Sequence, residues 1–293
     1  MDFEAWRGEG NFLSNKQMHL NRVVMAAPAD EAAARLDYAR FLMSYRLAEE
    51  AMTQLALAVK SDVKLSSDAS FRALRGISEV LANRNALAVE DLTANGLDLD
   101  PYAAAWRGLA RVELGQMDMA NKDFDFSAGL IDSFDKESAT EMHLSAADAA
   151  LAMKDFSSAH NHLGQLRDGL DTSALKARAF VLRGQLLEEL EKPQEALTFY
   201  DRAIEQGDRH QMVKARYAKA ILLVAMREET IQFPMSDEAQ VLGARMPQVF
   251  ADYFLGAGTT EMTAVQALSF YYEFQDLTPI GQRGDELIRH LAE

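Results

Sequence analysis

Residues 182–190 read Leu182-Arg183-Gly184-Gln185-Leu186-Leu187-Glu188-Glu189-Leu190, and Pro193, Ala196, Tyr200 and Ala203 follow. Two small residues, Gly184 and Ala196, stand twelve apart, and a large one, Tyr200, comes four after the second. Twelve residues hold one stretch of helix, a short turn and the start of an antiparallel second helix. Small side chains at both ends let the two backbones approach closely.

Upstream of this stretch the pair recurs at Ala39/Ala51, Gly76/Ala88, Gly108/Ala120 and Ala147/Ala159, always twelve apart. Four residues after each second member stands a large one, Leu55, Leu92, Phe124 and Leu163. Three further on the residue is small again at Ala58, Ser127 and Ala203, while Asn95 and Leu166 depart from the rule. Six after each first member comes an apolar residue, Tyr45, Ala82, Leu114, Met153 or Leu190, and then a turn-like or polar one, of which Gly115 is the clearest. One such unit would follow from abundant alanine alone. Five in register define a repeated helical hairpin, with connectors of varying length between units.

Composition agrees. The chain has 293 residues, 48% hydrophobic and 26% charged, enough for a buried core, and its residues favour helix. Thirty Lys and Arg stand against 45 Asp and Glu, a formal charge of −15. That field repels phosphate backbones and anionic lipid surfaces, so nucleic acid is not an expected partner. No apolar run reaches the length of a membrane span, since Ala220–Met226 stops at Arg227, so direct membrane insertion is not expected either. With no cysteine there is no disulfide, thiolate metal site or cysteine nucleophile, and the compartment stays open. Residues 1–7 lack the pattern of a secretory signal. A cytoplasmic location is expected if the chain is complete, and a periplasmic one if it is a piece of an exported protein.

On these small and large positions the chain resembles the tetratricopeptide repeat family, whose unit is a helix-turn-helix of 34 residues. The Arg-Gly of that motif stands at Arg75-Gly76, Arg107-Gly108 and Arg183-Gly184, while the aromatic that opens its first helix is kept as Phe180 and replaced by Arg72, Ala104 and His143. The fold expected is all-α, a right-handed superhelical solenoid of antiparallel helical hairpins with an irregular helical carboxyl-terminal part. Residues 1–32 are expected to form an amino-terminal capping helix segment, 33–227 an array of five to six units, and 228–293 an irregular helical segment. A sixth first helix reads Ala215–Leu222, and Pro234 then interrupts the unit with an expected loop over residues 228–236. Helices are expected again over 237–255, with a break at Pro247, over 260–274, and after Pro279. The final segment is similar to parts of long bacterial repeat proteins in which further units follow.

Catalytic constellations are missing. His160 and His162 are two apart on a predicted helix and face different ways, and His19, His143, His210 and His290 stand alone, so no metal site is expected. Asp98/Asp100 and Asp123/Asp125 lack the calcium-loop pattern and read as solvated connectors and helix starts. Glu188, Glu189 and Glu191 read as a solvated face. Gly281-Gln282-Arg283-Gly284 lacks the strand and the Gly-Lys-Ser ending of a phosphate loop. No catalytic residue and no cofactor is assigned. An enzymatic reading would turn to Tyr253, Tyr271 and Tyr272.

The resemblance implies a concave groove lined by the first helices, at positions one, four and five after the first small residue. Those positions are Arg40, Met43 and Ser44; Ile77, Val80 and Leu81; Leu109, Val112 and Glu113; Asp148, Leu151 and Ala152; and Gln185, Glu188 and Glu189. The centre is apolar and one end acidic. Lys and Asn, or Arg, grip a terminal carboxylate in this family, and Arg40 alone is present here. Either Ile77, Val80, Leu81, Leu109 and Val112 form an open binding strip, or they are core against an amino-terminal cap over Asn15–Ala26. The expected role is a non-enzymatic scaffold for a protein or peptide partner, one with basic character if charge steers it. The alternative is a spacer or self-association segment of a larger repeat protein.

Overall fold

The computed structural model describes residues 3–94, 96–166, 170, 172–207 and 209–232, then 247, 250–252, 254, 255, 271, 278, 279 and 281–292. Among the described residues there are helices and no strands. They divide into two units, Met1–Leu166 and Arg167–Glu293, a division inside the stretch 33–227 read as one array.

Unit 1 begins with the short α1 (Phe3–Arg7) and α2 (Phe12–Met25). Four hairpins follow: α3 (Glu31–Ser44) with α4 (Ala48–Ser61), α5 (Ala69–Leu81) with α6 (Asn85–Leu92), α7 (Pro101–Glu113) with α8 (Met117–Ser127), and α9 (Lys136–Ala152) with α10 (Phe156–Gln165). Short 3₁₀ turns, Val63–Ser67 and Ala128–Ser133, follow α4 and α8. Three of the four first helices of unit 1 start at Asp caps: Asp68 accepts from Phe71 N–H, Asp100 from Tyr102 and Ala103 N–H, and Asp135 from Ser138 N–H. The reading of Asp100 as a helix start is therefore met.

Each hairpin closes the same way. The residue seven after the first small one is left-handed: Arg46, Asn83, Gly115 and Lys154 have φ between 58° and 71°. In the first hairpin Arg46 N–H donates to Met43 O and Leu47 N–H to Leu42 O, and the equivalent pairs repeat after α5, α7 and α9. This is a Schellman closure, which satisfies the last free carbonyls of each first helix. Only one of the four uses glycine, so local hydrogen bonding carries the turn where composition does not.

The small residues act as the spacing implies. A Cβ on Gly76 would meet Leu92 Cγ at 2.7 Å, and one on Gly108 would meet the Phe124 ring at 2.9 Å. Glycine here is a close-approach residue, and the large side chain fills the space that a Cβ would take. Ala39, Ala51, Ala88, Ala120, Ala147 and Ala159 have no exposed surface.

Among the described residues unit 2 holds one full hairpin, α11 (Ser173–Glu189) with α12 (Pro193–Gln206), then α13 (Arg209–Gln232), which packs on both. Glu191 repeats the left-handed closure at φ 58°, and Tyr200 lies against Gly184. The loop expected from residue 228 is corrected: α13 stays helical to Gln232, and the rest of that loop lies outside the described residues. The helices expected over 237–255 and 260–274, and Tyr253 and Tyr272, lie outside them as well, apart from isolated positions. The helix expected after Pro279 is present as α14 (Gln282–Ala292), whose Leu287 is buried with Phe250, Phe254 and Leu222.

Candidate binding face

Of the positions offered as a groove in unit 1, Met43 and Ile77 are fully buried and Val112 is 7% exposed. All three belong to one core with Phe41, Leu74, Trp106 and Phe3, and Val80, Leu81 and Leu109 pack against it half-buried. Arg40, Asp148 and Leu151 are also half-buried; in unit 2 Gln185 is exposed and Glu188 half-buried. Within unit 1 the apolar strip is thus continuous with the core, and the half-buried residues form its outer margin.

Two features close this face. Arg46, in the turn after α3, donates to Asp135 Oδ1 at 2.9 Å and to Ser138 Oγ at 2.8 Å, both at the start of α9. Two hairpins lie between these residues in sequence, so the turn that closes the first hairpin reaches the start of the fourth. Beside this bridge sits α1. The Phe3 ring is 6.0 Å from that of Trp106, and the Arg46 guanidinium lies 5.1 Å over it. Trp106 in turn meets the Phe134 ring edge-on at 6.1 Å. One turn along α1, Arg7 Nε donates to Ser44 O at 3.0 Å and its guanidinium lies 5.4 Å over Tyr45. A depression of about 480 Å³ continues beside Phe3, bordered by Glu4, Tyr102, Ser133, Phe134, Asp135 and Lys136.

Between the two helices of four of the hairpins a second recurring position brings side chains together. Residues nineteen apart face one another there: Arg35 donates to Gln54, Arg72 to Asp91, His143 bonds His162, and Phe180 meets Phe199 at 6.0 Å. Asp91 is gripped by Arg72 and Arg75. Asp123 is gripped by Arg107 at 2.6 Å and by Arg111 at 2.5 Å. Arg107 also donates to Leu92 O at 2.8 Å, tying one hairpin to the next. Asp123 is 5% exposed, which corrects its reading as a solvated connector: two arginines of α7 reach across and draw it inward.

Further corrections fall on His143 and Glu188. His143, read as isolated, bonds His162 through the two Nδ1 atoms at 3.0 Å, and its Nε2 lies 3.2 Å from Asp132. Burial, then the neighbouring His143, lowers the pKa of His162 to about 4. The two were separated in sequence by a turn, and only the register of the repeat brings them together. Glu188, read as part of a solvated face, accepts a hydrogen bond from the Tyr200 hydroxyl. Burial raises its pKa against the lowering effect of that bond. Glu79 in α5 is 8% exposed with an unpartnered Oε2, and burial, then Asp91, pushes its pKa up to about 7. In the 281–284 turn, Arg283 pairs with Asp252 at 2.6 Å. Among the described residues no group of three His, Asp or Glu is placed to hold a metal ion, and no helix is long and apolar enough to cross a membrane.

No family model matches the chain, and no curated protein matches it. Among solved structures it is similar to a tetratricopeptide repeat protein from Parabacteroides merdae ATCC 43184, at a TM-score of 0.45 and 13% identity, over 96% of this chain and 92% of that one.

Proposed function

We propose that this chain is a non-enzymatic repeat scaffold that holds a protein or peptide partner on the face formed by the first helices of its hairpins. The observation that carries the reading is the seat of α1: a five-residue helix, too short to persist alone, is held there by aromatic, cationic and carbonyl groups from the first and third hairpins. The charge of −15 favours a partner with a basic patch, whose association slows as salt is added. Arg40, Val80, Leu81, Leu109, Asp148 and Leu151 form the margin such a partner would meet, with Gln185 and Glu188 as the equivalent positions in unit 2.

A photo-cross-linking residue at Ser133, on the rim of the depression, tests this against one at Leu87, exposed on a second helix. Discrete protein adducts in the source cell are expected from Ser133 alone. Adducts from Leu87 alone would overturn the reading.

A second reading, self-association, is favoured by one observation: α2 leaves Leu13, Val24 and Met25 at least 74% exposed. Sedimentation velocity would then show a dimer that Leu13→Glu with Val24→Glu dissolves. A monomer at all concentrations would remove this reading.

A further inference from the structure

We infer that α1 is an internal ligand, and that its seat is a recognition site for a partner segment carrying an aromatic residue and, four positions later, an arginine or lysine. The inference rests on the scaffold reading and specifies its partner.

The host is assembled without its guest. Arg46 is fixed by Asp135 and Ser138, with Glu137 at 3.5 Å, so its guanidinium is already positioned for an aromatic ring to slide beneath it. Trp106 and Phe134 are packed against each other and form the wall. At the other end, Ser44 is the last residue of α3, where helix carbonyls lack intrahelical partners and the helix dipole is negative, and there Arg7 donates its hydrogen bond. An aromatic side chain and a cation one turn apart therefore meet complementary chemistry at both ends.

The guest is lightly attached. Within α1 only Phe3 is buried; Glu4, Ala5 and Arg7 are exposed and Trp6 half-buried. Gly8 and Gly10, both at positive φ, join it to α2, which begins two residues later. One hydrogen bond, Asn15 Nδ2 to Arg7 O at 2.8 Å, holds its end to α2. The Trp106 indole N–H, 2% exposed, has no acceptor with α1 in place.

The test uses full-length chain and a fluorescein-labelled peptide of residues 1–8, Met-Asp-Phe-Glu-Ala-Trp-Arg-Gly, followed by anisotropy. In the Phe3→Ser protein the seat is vacated, and the peptide is expected to bind at least tenfold tighter than to the unaltered chain, while a peptide with serine in place of phenylalanine does not bind. Should Phe3→Ser fail to fold, Arg7→Glu loosens α1 from its exposed end, and tighter peptide binding is expected there too. A folded variant that binds the peptide no better than the unaltered chain overturns the inference and makes Phe3 a core residue only. An unaltered chain that dimerises with concentration, and loses the dimer in Phe3→Ser, overturns the external partner in favour of a second copy exchanging its α1. Cross-linking from Ser133 reads the scaffold function independently of the peptide: adducts without peptide binding leave the scaffold and remove this site.

Discussion

The Nδ1 atoms of His143 and His162 stand 3.0 Å apart in the fourth hairpin of unit 1, at the register where unit 2 places Phe180 against Phe199. One of the two nitrogens must carry the hydrogen, so the pair bonds well with one or both rings neutral and poorly with both charged. Burial and His143 hold His162 at about 4, below its unfolded value of 6.5, with Asp132 and Asp155 acting the other way. A folded pKa below the unfolded one gives stability that is full above pH 6.5 and is lost as pH falls toward 4. Thermal melts from pH 7.5 to 4.5 should show this loss, on the order of 1–3 kcal/mol. The double variant His143→Phe with His162→Phe, which copies the aromatic pair of unit 2, should flatten the profile; an unchanged slope would count against the pair.

Glu79 gives the opposite sign. Its folded pKa of about 7 lies above the ordinary carboxyl value of 4.5, so the folded state keeps a proton that the unfolded state releases. Stability is therefore lost as pH rises from 4.5 through 7. Glu79→Gln should stabilise the protein by about 1–3 kcal/mol at pH 8, and the gain should vanish below pH 4.5. Chemical denaturation at both pH values measures it.

Two kinds of glycine should respond differently. Gly108→Ala forces the Phe124 ring to move inside a packed hairpin and should cost about 1–3 kcal/mol. Lys154 and Glu191 hold left-handed turns at φ 60° and 58°, so Lys154→Gly and Glu191→Gly should relieve roughly 0.5–1 kcal/mol after the entropy of the added glycine is counted. Melting temperatures falling in the first case and holding or rising in the second are the expected result.

Asp123→Asn leaves Arg107 buried without its counter-charge and should cost about 3–5 kcal/mol. Asp118→Asn, which breaks an exposed pair with Lys122, should change stability by less than about 1 kcal/mol. Equal effects in urea denaturation would show that burial of the Asp123 cluster is not what holds these hairpins together.

Much of this architecture could be read from the residues. Small and large positions are local in sequence, and the contacts of Gly76 with Leu92 and of Gly108 with Phe124 are those the spacing implies. What could not be read depends on where side chains turn after the hairpins are built. Asp123 looked solvated because its arginines stand on the other helix, and His143 looked solitary because His162 lies nineteen residues away. Met43, Ile77 and Val112 are buried in one core with Phe3 and Trp106, residues of other elements that leave no mark on the pattern of a single unit. Phe3 gave no signal, since five residues are too few for periodicity to show.

Arg46 and its contacts at the start of α9 change how unit 1 should respond to mechanical load. Where hairpins touch only their neighbours, a pull on one end peels them off singly, each at low force. A fastening between the first and fourth hairpins turns a rope into a ring: the second and third hairpins, enclosed between Arg46 and Asp135, bear no tension until that link gives way. Drawn between two beads, unit 1 should release those two hairpins together in one event, and Arg46→Ala should let them come away singly.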